Sequence, residues 1–272
     1  MIQDIYPSKL DNVYRDQKPE ADDFVLVFDK EGKVFVRIRD NEPEFTTAKQ
    51  ISCACPVFLF SIDDRGYFLT PYEAADIPEG FEACSVRSLR NNDSHGKGLF
   101  AAFTAYHLWK WYNDNRFCGC CGREMKHSVS ERAMKCGCGN TVYPRINPAV
   151  IVGVMNGNSL LITRYRQGYG HNALIAGFVE IGETLEETVA REVSEEAGVR
   201  VKNIRYYKSQ PWGMAQDLLA GFFCEVDGDD SIRMDEGELK YAQWVKREDI
   251  ELQPGSLSLT NEMMKMFKEG KV

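Results

Sequence analysis

Short apolar runs separated by polar turns dominate the first hundred residues. Phe24–Phe28 and the runs 33–38, 56–61 and 67–70 read as β-strands, with turns at 29–32 and 63–66. A helical period follows over 98–115 and places Leu99, Phe103, Tyr106 and Trp109 on one stripe. Further on, the continuous apolar run 149–155 reads as a buried strand. Asn156-Gly157 is a hairpin turn signal, and Ser159–Tyr165 is the return strand. A Gly-containing loop then runs to Gly182 and leads into a helix ending near Ala197. Strands are predicted at 205–209, 218–225 and 241–246, and a last helix at Leu259–Lys268. Strands and helices mixed in this order predict an α+β fold. Three regions separate: a β-rich domain ending in a helix over 1–115, a cysteine cluster over 116–145, and a mixed domain over 146–272.

Composition narrows the class. The chain has 272 residues, 43% hydrophobic and 27% charged, which fits a globular protein and excludes a disordered one. Its net charge of -8 argues against a protein whose task is coating nucleic-acid phosphates or an anionic membrane. The first twenty residues carry acids and no apolar core of a secretion signal. The longest apolar stretches, 53–62 and 149–155, are too short to span a bilayer. A reducing, cytoplasmic compartment and no membrane partner are therefore expected.

Nine cysteines make an odd number for a disulfide framework, and five of them fall between Cys118 and Cys138. Cys118-x2-Cys121 and Cys136-x-Cys138 stand 14 residues apart, a spacing that predicts one four-thiolate Zn²⁺ site. Four protein ligands leave no open position, so this zinc would be structural. The second knuckle has one intervening residue where two is usual, and Cys120 is a fifth candidate ligand. Lys126, His127, Arg132 and Lys135 add positive charge there, but acids intervene, so the ribbon alone is not read as a nucleic-acid surface.

The segment 177–199 carries the chemistry. Thr184 and Glu187 have capping-box spacing, and Gly198 supplies a helix stop. On the helix between them, Glu192, Glu195 and Glu196 share an arc of about 100°. Val189, Ala190, Val193 and Ala197 form the adjoining apolar stripe. Two carboxylates about 5 Å apart oppose each other by about 3 kcal/mol at an effective dielectric of about 20. Beside a buried stripe, such a cluster needs a compensating charge. Hard divalent cations supply it, pairing carboxylates with substrate phosphates and activating water, which points to hydrolysis of a phosphate anhydride. Taken alone, the run EVSEE reads equally as a solvated acidic face.

The spacing Gly177-x5-Glu183-x7-Arg191-Glu192-Val193-x-Glu195-Glu196-x-Gly198-Val199 resembles the Nudix box at every fixed position. The resemblance implies an α/β/α sandwich and hydrolysis of nucleoside diphosphates linked to another group. Glu192, Glu195 and Glu196 then correspond to the metal-binding and catalytic carboxylates, holding two to three Mg²⁺ or Mn²⁺. Gly177, Glu183 and Arg191 correspond to positions that brace the loop. Ser209-Gln210-Pro211-Trp212, with the order of β domain, zinc ribbon and Nudix domain, resembles the NADH pyrophosphatase subgroup. That subgroup implies conversion of NAD(H) and water to NMN(H) and AMP, in some members removal of NAD caps from RNA ends, and a homodimer. Residue by residue it implies Ala176 and Glu238 as further metal ligands. Substrate contacts are implied at Arg87, Glu131, Tyr143, Phe178, Gln210, Pro211, Trp212, Gln216, Asp217 and Ser258. The chain departs from the subgroup after SQPW: Gly213-Met214-Ala215-Gln216-Asp217 replaces a Pro-Phe-Pro run and a Ser. Three readings therefore stand: an NAD(H) pyrophosphohydrolase; a hydrolase of a related substrate such as ADP-ribose or NAD-capped RNA; and a non-catalytic binder of NAD or ADP-ribose that regulates a partner.

Overall fold

The computed structural model describes residues 1–272 apart from 53, 92–95 and 168–169. The chain divides into two compact units. One holds Met1, Ile146–Trp212 and Asp217–Val272; the other holds Ile2–Arg145 and Gly213–Gln216. No helix among the described residues is long and apolar enough to cross a membrane.

In the second unit the four expected strands appear as Phe24–Phe28, Val34–Arg39, Val57–Ile62 and Arg65–Pro71. They join one eight-stranded sheet in which Phe24–Phe28 runs parallel to Arg65–Pro71. The long helix Gly96–Asp114 buries Leu99 and Phe103, and Trp109 stacks on Phe28 with ring centroids 5.2 Å apart. His107 reaches the Arg145 carbonyl at 2.8 Å, a packing role. The cysteine segment forms a three-stranded ribbon of Lys126–His127, Met134–Lys135 and Thr141–Val142.

The first unit is built on a six-stranded mixed sheet. Its order is Val201–Trp212, Asp217–Val226, Asn147–Asn156, Ser159–Tyr165 and Leu239–Lys246, with Ile175–Phe178 also paired to Asn147–Asn156. Asn147–Asn156 is buried on both faces, which is why it reads as one unbroken apolar run. Its alternate residues feed two cores. Val150, Val152 and Val154 meet Val189, Val193 and Ala197 of the acidic helix Leu185–Ala197. Ile151 and Met155 meet Leu259, Met263, Met264 and Phe267 of the terminal helix Leu259–Lys268. A sheet clad by helices on both faces is the expected α/β/α sandwich.

Two expectations are corrected. The loop before Gly182 contains the strand Ile175–Phe178, held antiparallel to Asn147–Asn156 from Ala149↔Phe178 to Val152↔Ile175. Ala190, placed on the apolar stripe by its angle, is exposed, because it lies at the stripe's far edge.

Candidate active site

The acidic helix begins as its sequence requires. The Thr184 hydroxyl accepts from the Glu187 N–H, and the Glu187 carboxylate accepts from the Thr184 N–H at 2.8 Å. The chain leaves the helix at Gly198 in the left-handed conformation. These two ends fix the rotation of the helix and so decide which glutamates face the sheet.

Arg191 is the hub of the bracing. It donates to both Glu183 oxygens, at 2.6 and 3.1 Å, and to the Phe178 carbonyl at 2.9 Å. Thr188 adds a bond to Glu183 at 2.8 Å. Arg191 and these partners hold the Glu183 carboxyl down at about 2. The Arg191 guanidinium is pushed up, first by Glu183 and then by Glu192 and Glu195. Arg191 also bonds Glu192 at 2.8 Å and Glu195 at 2.9 Å.

The three box carboxylates are not equivalent. Glu196 is buried, with 1% of its surface exposed, and no Lys or Arg among the described residues pairs with it. Burial, then the charges of Glu238 and Glu192, push its carboxyl up to about 8. Glu192 is raised by burial against the pull of Arg191, and it too feels Glu195 and Glu238. Glu195 has 60% of its side chain exposed and spends it on Arg191. Glu196, Glu192 and Glu238 thus feel one another's charge, while Glu195 lies at the exposed edge of the helix.

Three features close around these carboxylates. Gly177 lies under Glu192: a Cβ added there would stand 2.0 Å from the Glu192 carboxylate. The Ala176 N–H donates to the Tyr165 hydroxyl at 3.1 Å and also bonds the Glu196 carboxylate. The loop carrying Glu238 is tied to the helix by Asp235 N–H to Glu196 carbonyl at 2.9 Å and Arg233 N–H to Ala197 carbonyl at 2.8 Å. Tyr165 was not anticipated from the sequence; the signal for it is the period-2 alternation of the return strand, which puts it on the face of Leu161.

These donors are hard oxygens, and the buried Glu196 faces two like charges with no bonded cation of the protein to offset them. The set fits a divalent cation of the Mg²⁺ or Mn²⁺ kind. In the other unit, the sulfurs of Cys118, Cys121, Cys136 and Cys138 lie within 4.8 Å of one another, a soft set able to hold a different metal. Cys120 is exposed and outside that group.

The implied substrate contacts divide. Phe178 presents a ring that is 54% exposed on the strand bearing Ala176 and Gly177. Pro211 is exposed, Trp212 is half-buried, and both end the strand Val201–Trp212. Asp217 is buried, bonded to Asn147, with one oxygen lacking a partner; burial pushes its carboxyl up to about 6. Gln210 is fully buried, donates to the Leu257 carbonyl at 2.8 Å and accepts from the Leu259 N–H at 2.8 Å, so its amide also anchors the terminal helix. Ser258 caps that helix by accepting from the Asn261 N–H and donating to Gln253. In the other unit Arg87 is exposed on the short helix Val86–Asn91, and Tyr143 bonds Glu131 at 3.1 Å. Gln216 is buried there and accepts from Arg145 at 2.5 Å. Gly213, the first residue of the departure after SQPW, has a structural cause. A Cβ there would meet the Phe103 carbonyl oxygen at 2.1 Å, so neither proline nor any larger residue fits.

A mixed sheet between helices, with a glycine-backed strand feeding a capped acidic helix, is the Nudix architecture. Residues 145–265 match the family model described as the NUDIX domain, so this segment of the chain is a Nudix domain. Among curated proteins it is similar to "NAD-capped RNA hydrolase NudC" of Salmonella typhi, 42% identical over 62% of this chain and 66% of that protein. The protein of the same description from Shigella flexneri is 44% identical over 58% of this chain and 62% of its own length. The chain thus spans just under two thirds of these relatives. A solved NUDIX hydrolase from Nitrosomonas europaea shares the fold at a TM-score of 0.50 and 22% identity, over 57% of this chain and 91% of that one.

Proposed function

We propose that the protein hydrolyses the pyrophosphate bond of NAD(H) or a related dinucleotide, giving NMN(H) and AMP. The observation that carries this is the buried Glu196 set against Glu192 and Glu238 beside the Ala176 peptide. Glu192, Glu196 and Glu238, with the Ala176 carbonyl, would hold Mg²⁺ or Mn²⁺, two to three per site, and Glu195 would complete the set from the rim. Such cations polarise a phosphoryl oxygen and lower the pKa of bound water. Arg191 keeps Glu183 and the Phe178 carbonyl in place, so the strand and the helix meet at fixed spacing. Phe178 offers a ring face for a base or a nicotinamide. Gln210, Pro211, Trp212, Asp217 and Ser258 remain proposed substrate contacts of this unit; Arg87, Glu131, Tyr143 and Gln216 are proposed on the resemblance to the subgroup alone.

The four cysteines would hold one structural Zn²⁺. The proposed arrangement is three modules, 1–115, 116–145 and 146–272, in a cytoplasmic homodimer. A second reading, removal of NAD caps from RNA, is favoured by the activity for which the similar proteins of Salmonella typhi and Shigella flexneri are named.

One panel tests both. Purified protein is given NADH, NAD, ADP-ribose or an NAD-capped RNA oligonucleotide, each with Mg²⁺ or Mn²⁺, and the products are identified. AMP and NMNH from NADH are expected. Retention of every ligand without turnover would leave a binding regulator instead.

A further inference from the structure

Tyr165 lies at the end of the strand Ser159–Tyr165. Leu161, two turns of the pleat earlier, packs in the core under the acidic helix, and period-2 alternation puts Tyr165 on that same face. The register shift after Arg164 skips Lys240 and pairs Tyr165 with Leu239, next to Glu238. The extra residue, Lys240, lies on the partner strand, so the alternation along Ser159–Tyr165 is kept.

The phenol ends among five polar atoms. It accepts from the Ala176 N–H at 3.1 Å. Both Glu196 oxygens, the Ala176 carbonyl and the Leu174 carbonyl each lie 3.4 Å away. A hydroxyl has one proton to give, so these four acceptors compete for it. Once ionised, as a bound cation requires, the carboxylate is the strongest acceptor of the four. The phenol thus ties the Ala176 peptide to the carboxylate of Glu196 from across the sheet.

The chemistry of the tether matters. A carboxylate has about four lone-pair sites, and one hydrogen bond uses only one of them. A Lys or Arg in this place would neutralise Glu196 and compete with a cation. A neutral phenol orients the carboxylate and leaves its charge for the cation. Outer partners that orient a ligating group in this way typically contribute about 10- to 100-fold to metal affinity.

We propose that Tyr165 is a positioning residue that holds the Glu196 carboxylate and the Ala176 peptide in register for a divalent cation. This rests on the cation-site reading given above.

Mn²⁺ binding to the full chain, followed by the electron paramagnetic resonance signal of free Mn²⁺, tests it. Tyr165→Phe keeps the ring and removes the hydroxyl. Its Mn²⁺ affinity is expected to fall by about tenfold or more, with the cation-free thermal midpoint preserved. The cation concentration giving half-maximal hydrolysis should rise by a similar factor. Tyr165→Met also lacks the hydroxyl and gives the same reading if the phenylalanine variant does not fold. Glu196→Gln is the control. If it loses Mn²⁺ binding while both Tyr165 variants bind like the unaltered protein, the positioning role is overturned and the cation site stands. If Glu196→Gln itself binds Mn²⁺ normally, the cation site falls and the role of Tyr165 falls with it.

Discussion

Single residues in this protein differ by how their charge is spent. Glu195 and Glu196 are neighbours in sequence, yet one is a solvent-facing partner of Arg191 and the other is buried against like charges. Glu196→Gln is therefore expected to lower turnover by at least about a hundredfold, and Glu195→Gln by clearly less, measured as kcat at saturating Mn²⁺. The reverse ranking would move the centre of the site to the rim. Gly177 offers a sharper case. In Gly177→Ala the new Cβ would collide with the Glu192 carboxylate, the free end of a flexible side chain. That end swings aside at little cost in stability, but a cation ligand leaves its place. The expected outcome is a near-normal thermal midpoint with turnover reduced at least tenfold; equal loss of both would mean that the fold, not the ligand, had been disturbed. Asp217 carries a pH dependence. Its carboxyl is raised from 3.8 to about 6, so the folded state favours the protonated acid. The stability this group contributes is complete below its ordinary value and is lost as pH rises through about 6. Asp217→Asn should then gain on the order of 1–3 kcal/mol over the unaltered protein at pH 8 and nothing at pH 3.5, read by urea unfolding at the two pH values.

At the scale of elements, the caps do what the sequence says they do. Thr184→Ala removes one side of the reciprocal pair with Glu187 and should cost about 1 kcal/mol in denaturant unfolding. An unaffected midpoint would show the helix held by its packing alone. The box helix, the terminal helix and the return strand of the hairpin were legible because each has a strong period or a strong punctuation mark. The strand Ile175–Phe178 was not, since four residues including a glycine carry no alternation; only its pairing with Asn147–Asn156 makes it a strand. The parallel pairing of Asn147–Asn156 with Asp217–Val226 was hidden too, because the contacts that create it are far apart in the chain. The site shows the same division. Glu192 and Glu196 share a helix face that can be counted off in steps, whereas Tyr165 meets Glu196 across 31 residues of chain, a contact that no local pattern reveals. Gln210 also bonds the Leu257 carbonyl and the Leu259 N–H, a long-range use that the local run SQPW does not disclose.

Over the whole molecule, two metal-binding chemistries sit in different compact units. The four cysteines belong to the unit Ile2–Arg145, and Glu192, Glu196 and Glu238 to the unit containing Ile146–Trp212 and Asp217–Val272. Thiolates select soft or borderline ions, and carboxylates select hard ones, so the sites should load and empty independently. The ribbon has short strands of two residues each, too few to build a core, so its order is expected to depend on a metal held by the four cysteines. Elemental analysis is expected to give about one zinc per chain. Stripping the zinc with a chelator selective for it over Mn²⁺ should open 116–145 to proteolysis, while Mn²⁺ affinity stays within a factor of about two of the loaded protein. Folded, active protein free of zinc would remove the structural metal. A collapse of Mn²⁺ affinity on zinc removal would show instead that the ribbon's order is transmitted to the carboxylates, and the two sites would then have to be treated as one coupled system.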